Sequence, residues 1–138
     1  DMEERINDKI NEIENYLEEL SGWVPKNLEE YETDLKTKSA CERHFEKIVE
    51  CITDLAIFII RNKKFRIPND DESTFMILAE NKIISDVLSQ KLIDAKGMRN
   101  FIIHRYGDVD DSKVFHSLKE EFFVDVEEFL NNIKKCLE

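Results

Sequence analysis

Asp54-Leu55-Ala56-Ile57-Phe58-Ile59-Ile60-Arg61 is the stretch whose reading settles what kind of protein this is. Taken alone, the apolar run Leu55 to Ile60 reads as a buried strand or as part of a buried helix. The residues upstream separate the two. Ala40, Phe45, Ile48, Cys51 and Ile52 carry a helical period into the run from about Thr37, and no turn residue intervenes before Lys64. The run is therefore the second half of one long helix. Apolar nearly all round, it marks the central, most buried member of a helical bundle.

Outward from there, Ile6, Ile10, Ile13, Leu17 and Leu20 recur at spacings of four, three, four and three, which puts one stripe on one face of an N-terminal helix. Ser21-Gly22 and Pro25 end that helix, and Trp23 and Val24 are expected to fold back onto the core. Leu28 to Leu35 reads as a short helix capped by Asn27, or as a segment continuous with the long one. Asn69-Asp70-Asp71 is a capping cluster for a short helix holding Phe75, Met76, Leu78 and Ala79. Ser85 caps the next helix, which carries Val87, Leu88, Leu92, Ile93, Met98, Phe101 and Ile102 to about Arg105. Gly107 is expected just beyond it as a left-handed residue. Gly97 lies inside this helix, where glycine is unfavourable by about 1 kcal/mol relative to Ala, and implies a close approach. After a loop from Asp108 to Ser112, a last helix shows Val114, Phe115, Leu118, Phe122, Val126, Phe129, Leu130, Ile133 and Leu137.

Three Gly and two Pro in 138 residues leave little punctuation, and short loops between long helices favour antiparallel neighbours. The expected fold is all-α. It is one domain over residues 1–138, an up-and-down helical bundle of four main helices plus one or two short ones.

Composition narrows the function. A net charge of −11 argues against a generic nucleic-acid binder, and no DNA partner is expected. The acidic start Asp1-Met2-Glu3-Glu4 lacks an apolar targeting core, and the run Leu55–Ile60 is far below the roughly 20 residues of a membrane span. Cys41, Cys51 and Cys136 form no CxxC pair and read as free thiols of a reducing cytoplasm. Cys41-x-x-His44 and His116-x-x-x-Glu120 each offer two ligands at helical spacing, which is not a metal site. His44 and His116 are expected on the helix surface or at its boundary. No Gly-rich phosphate loop or nucleophile elbow occurs, so no metal or cofactor is expected.

One stretch stands apart: Gly97-Met98-Arg99-Asn100-Phe101-Ile102-Ile103-His104-Arg105-Tyr106-Gly107. No acidic residue occurs between Ala95 and Tyr106, in a chain that is acidic almost everywhere else. At about 100° per residue, Asn100 and His104 lie about 40° apart on one helix face, while Arg99 lies about 140° from His104. Two copies related by a two-fold axis can bring both Arg99 and both His104 into one cleft. His104 falls in the last turn, where the helix dipole favours a positive charge. RNA cleavage uses such parts: a base for the 2′-OH, an acid for the 5′-oxygen, and a guanidinium for the phosphorane.

Arg99-Asn100-Phe101-Ile102-Ile103-His104-Arg105-Tyr106 resembles the R-x4-H-x-Y motif of the HepT-like branch of the HEPN superfamily, in its usual Gly-Met-Arg-Asn setting. Ser39-Ala40-Cys41-Glu42-Arg43 is similar to the family's Ala-x-Glu-Arg segment opening the long helix. Asp54-Leu55-Ala56 and Gly107-Asp108-Val109-Asp110 resemble its later steps, so the likeness spans nearly the whole chain. The resemblance implies a homodimeric, metal-independent RNase, the toxin of a toxin–antitoxin pair whose partner is a minimal nucleotidyltransferase of the MNT type. It implies Arg99 and His104 as the catalytic pair, with Asn100 orienting His104 and Glu42 and Arg43 in support. It also implies Tyr106 as the residue to which the antitoxin attaches AMP. The alternative is a non-catalytic HEPN module that binds the nucleotidyltransferase without cutting RNA.

A second acid-free island, Arg61-Asn62-Lys63-Lys64-Phe65-Arg66, ends at Pro68. Cations at a helix C-terminus are favoured by the dipole in any case. The functional reading is that Arg61, Lys63, Lys64 and Arg66 line one RNA groove with Lys96 and Arg105, where local charge outweighs the total over a Debye length of about 8 Å.

Overall fold

The computed structural model covers residues 1–138; the side chain of Tyr106 lies outside the described residues. Helix α1 spans Met2–Trp23, α2 Leu28–Thr33, α3 Leu35–Lys63, α4 Asp71–Glu80 and α5 Asp86–His104. A 3-10 turn at Tyr106–Asp108 leads to α6, Asp111–Ser117, which passes through a π turn, Leu118–Phe122, into α7, Phe123–Cys136. The residues flanking the π turn all keep right-handed helical angles, so α6 and α7 form one rod. Four long rods and the short α2 and α4 thus make the all-α bundle.

The chain direction alternates from rod to rod. Arg5 lies over the Phe58 ring, Lys9 pairs with Asp54 and Glu19 meets His44, so α1 runs antiparallel to α3. Lys91 pairs with Asp125, so α5 runs antiparallel to α7. Lys38 pairs with Asp111 at the start of α3, and Lys63 donates to the Cys136 carbonyl at its end. Hence α3 and the α6–α7 rod run parallel.

The predicted stripe of α1 is buried in full, from Ile6 to Leu20. Leu55, Ala56, Ile59 and Ile60 are buried in α3 as well, with Ile57 and Phe58 half-buried. That settles the opening run as core helix. Side-chain caps start the helices as the sequence indicates: Asn27 accepts from the Glu30 amide, Asp70 from Ser73 and Ser85 from Leu88. Each satisfies a backbone donor that the first turn leaves unpaired. Asp34 caps α3 by accepting from Thr37, and this separates α2 from α3.

Several details differ from expectation. Helix α1 continues through Ser21-Gly22 to Trp23 and stops at Val24, whose extended backbone is what a residue before proline adopts. Val24 packs against the core, but Trp23 stays exposed and lies against the His44 ring, 4.3 Å between centroids. His44 is buried and not a surface residue, enclosed by Trp23 and Tyr16 with Glu19 at 3.4 Å. Gly107 is not left-handed; the described residues with positive φ are Lys64 and Lys82, and Lys64 forms the C-cap of α3. Val87 and Phe101, assigned to the core by periodicity, are exposed.

Candidate active site

The C-terminal half of α5 carries the motif, and bundle topology decides what surrounds it. The end of α5 meets the start of the α6–α7 rod, which Lys38 and Asp111 fix to the start of α3 at 2.8 Å. Glu42 and Arg43 stand in the second and third turns of α3, so they share this end of the bundle with Arg99, Asn100, His104 and Arg105. Arg43 is exposed and pairs with Glu46. Burial pushes the Glu42 carboxyl above the ordinary carboxylate range; Asp111 and Glu46 add to this and Lys38 opposes it. Glu42, Lys38 and Asp111 thus form a polar cluster at this end of the bundle. Within it, Tyr31 is fully buried and its hydroxyl has no hydrogen-bond partner among the described residues.

Arg99 and His104 leave the helix on different faces, as the 100° step requires. Arg99 is half-buried, and its Nε is shielded from solvent without an acceptor among the described residues. The far end of its guanidinium donates to Asn100 Oδ1 at 3.2 Å. Asn100 shares a helix face with His104, which stands exposed one turn later. Within this chain Asn100 Oδ1 thus meets Arg99, while sequence reasoning expects Asn100 to orient His104. Tyr106 follows the end of α5, and its side chain lies outside the described residues.

The second cationic island lies elsewhere. Helix α3 has 29 residues, about 43 Å at 1.5 Å per residue. Lys63 stands at its far end, bonded to the last turn of α7, while the motif lies at its near end. One protomer therefore does not put the two islands in one groove. Arg66 is engaged by Glu80 through two bonds, at 3.1 and 2.7 Å. Lys96 is buried and pairs with Asp71 at 3.0 Å, so within this chain it holds α4 to α5. Arg61, Lys64 and Arg105 remain exposed.

Between α5 and α6 runs an open groove. One cavity of about 440 Å³ is lined by Lys91, Met98, Lys113 and His116 among others. A smaller one of about 260 Å³, mostly apolar, is lined by Met98, Phe101, Ile102, Val109 and Val114. Sequence reasoning missed this groove, because α6 contributes its wall only once the bundle is assembled. No three His, Cys, Asp or Glu side chains come together as a metal cage among the described residues. No helix among them is long and apolar enough to cross a membrane.

Comparison with known proteins places these residues in context. A family model described as Ribonuclease HepT-like matches residues 6–133. The mRNA nuclease HepT of Shewanella oneidensis is 27% identical over 105 residues, which cover 76% of this chain and 78% of that one. The tRNA nuclease HepT of Aphanizomenon flos-aquae is 23% identical over 113 residues, covering 82% and 77%. Among solved structures, the tri-AMPylated HEPN toxin of Shewanella oneidensis, in complex with its MNT antitoxin, superposes with a TM-score of 0.86. It is 25% identical, and the match covers 94% of this chain and 96% of that one.

Proposed function

The chain belongs to the HepT-like ribonuclease family, and from that premise we propose that it is an RNA endonuclease, the toxin of a toxin–antitoxin pair, working without a metal. The observation that carries this reading is that Arg99, hydrogen-bonded to Asn100, and an exposed His104 stand together in the last turns of α5. The nuclease names of its relatives and the toxin–antitoxin complex among its structural neighbours support the same class.

The active site forms between two copies. One His104 takes the proton of an RNA 2′-OH, and the freed oxygen attacks the adjacent phosphorus. Arg99 stabilises the charge of the phosphorane. The bond from phosphorus to the 5′-oxygen breaks as the His104 of the second copy protonates that oxygen. The products are a 2′,3′-cyclic phosphate and a free 5′-OH. Because the 2′-OH is the nucleophile, no bound ion is needed to activate water. Glu42 supports the motif from α3 through the cluster with Lys38 and Asp111. Arg43 and Arg105, both exposed at this end, attract the RNA backbone. An MNT-type nucleotidyltransferase silences the enzyme by attaching AMP to Tyr106. That adds bulk and about one negative charge where a phosphate must approach.

The test is RNA cleavage in EDTA by the wild type, Arg99→Ala, His104→Ala and an equimolar mixture of the two variants. Each variant alone should lose at least about a hundredfold in rate, within the range of general acid–base contributions. The mixture should recover little activity, because a mixed dimer holds a single His104 where the reaction uses one from each copy. Undiminished cleavage by both single variants refutes the site. No cleavage by any protein favours the non-catalytic interaction module.

A further inference from the structure

Attack by a 2′-OH makes a demand on the substrate that the motif alone does not meet. The 2′-oxygen, the phosphorus and the departing 5′-oxygen have to line up, and a nucleotide held in an A-form stack cannot align them. The reacting nucleotide therefore leaves its stack, and a pocket that takes its base offsets the lost stacking. Unstacked RNA bases are received on aromatic side chains and hydrogen-bonded along their edges.

The smaller cavity between α5 and α6 has parts of this kind. Its volume is about 260 Å³, below the roughly 300–1,000 Å³ of a drug-sized ligand's pocket and enough for one flat ring system. Among its lining residues Ile102 and Val114 are buried, Met98 and Val109 are half-buried, and Phe101 is 43% exposed. Phe101 stands one turn before the exposed His104 and about 60° round the helix, so the two are neighbours on the surface of α5. Asp110 and Lys113 line the same cavity and are both exposed. Asp110 Oδ1 accepts from the Ser112 and Lys113 amides, which holds the carboxylate in place. No carboxylate pairs with the Lys113 ammonium among the described residues. An apolar cavity bordered by one acceptor and one donor suits a base, whose edge carries both N–H donors and acceptors. A phosphate would be repelled by Asp110, and a hydrocarbon would use neither charge.

We propose that this cavity receives the base of the nucleotide whose 2′-OH attacks. Phe101 and Met98 give it an apolar surface, and Asp110 and Lys113 meet its polar edge. A base held against Phe101 keeps its own ribose beside His104. This subsite rests on the ribonuclease reading and adds to it a place that binds substrate and selects for it.

The test uses a single-stranded RNA that the wild type cleaves at a mapped position. It is compared with copies in which one nucleotide at a time is abasic but keeps its ribose and phosphates. Removing the base on the 5′ side of the cleaved phosphate should raise KM roughly tenfold, the scale of one stacked base. Removing any other base should do less. Val109→Trp fills the cavity from the connection after α5 and should raise KM on the intact RNA by a similar factor. In that variant the abasic copy should be cut no worse than the intact RNA, because the base has already lost its seat. Losses that multiply overturn the proposal. So does a wild type that cuts every abasic copy as readily as the intact RNA, a result that needs no variant to fold. If the abasic copies are cut normally while Val109→Trp weakens dimerisation in sedimentation, the cavity takes a side chain of the second copy and the base subsite falls. Cleavage that depends on Arg99 and His104 but on no base removes the subsite alone. Undiminished cleavage by Arg99→Ala and His104→Ala removes the ribonuclease site and the subsite with it.

Discussion

Asp71→Ala and Lys96→Met are a pair of perturbations that separates a structural cation from a nucleic-acid contact. The Lys96 side chain is 10% exposed and that of Asp71 56%. Removing one partner from a fully buried ion pair costs about 3–5 kcal/mol, and an exposed pair is worth about 0–1 kcal/mol. With one member buried and the other half in water, Asp71→Ala should cost about 2 kcal/mol, because it strands an ammonium in the core. A few tenths of that come from losing an acidic residue in the first turn of α4. At about 2.1 cal/mol/K of unfolding entropy per residue, the melting temperature should fall by roughly 7 °C. Lys96→Met keeps the aliphatic stem, removes the charge and leaves Asp71 to water, so stability should stay within about 1 kcal/mol of wild type. Thermal unfolding by circular dichroism reads both variants, and RNA cleavage is compared well below the lower melting temperature. Lys96→Met should cleave at close to the wild-type rate. Loss of more than about tenfold in cleavage at an unchanged melting temperature would make Lys96 an RNA ligand and refute the reasoning.

Three further outcomes follow from buried polar groups. The Tyr31 hydroxyl is buried without a partner among the described residues, so Tyr31→Phe should raise stability by about 1 kcal/mol. The readout is a higher urea midpoint at constant slope, and a lower midpoint would mean that the hydroxyl is satisfied. Burial raises the Glu42 pKa in the folded state, so its contribution to stability is fully present below the ordinary Glu range and is lost as pH rises through the folded value. Glu42→Gln should therefore be more stable than wild type at neutral pH, with the gap closing below about pH 4; an equal gap at both ends contradicts the assignment. Burial also pushes the Cys41 and Cys51 thiols up, to about 11 and about 12. Since the thiolate is the reactive form, a disulfide reagent at neutral pH should label the partly exposed Cys136 first. Simultaneous labelling of all three in the native protein would be inconsistent with that order.

The parts of this molecule readable from sequence are those governed by local rules. The stripe Ile6 to Leu20, the Asn27, Asp70 and Ser85 caps, and the helical period running into Leu55–Ile60 each depend on a few neighbours along the chain. The motif stretch was legible for the same reason, because Arg99, Asn100 and His104 sit on one helix at known angles. What stayed hidden depends on assembly. Lys96 looks like any surface lysine until α4 brings Asp71 against it. The separation of Lys63 and Lys64 from the motif appears only when the direction of each rod is known. Gly107 looked like a helix terminator, but Arg105 ends α5 and Lys64 takes the left-handed angle at the end of α3. The π turn did leave a trace. Val114, Leu118, Phe122 and Val126 recur every four residues, a drift of about 40° per step for an ideal α-helix, and a wider turn absorbs it.

That π turn makes the last rod a splice of two pieces whose phases are set separately. Upstream of it, α6 presents Asp111 to Lys38 and Phe115 to Tyr31, at the end of the bundle that holds the motif. Downstream, α7 presents Asp125 to Lys91 and Phe129 to Phe75, in the main core. Winding Leu118–Phe122 into a regular α-helix with no residue removed would rotate one piece against the other by several tens of degrees. Asp125 and Phe129 would then turn away from their partners while Asp111 and Phe115 kept theirs. The wider turn therefore sets the phase of the rod. An irregular turn that shares a groove with Met98 keeps the motif end and the core in step.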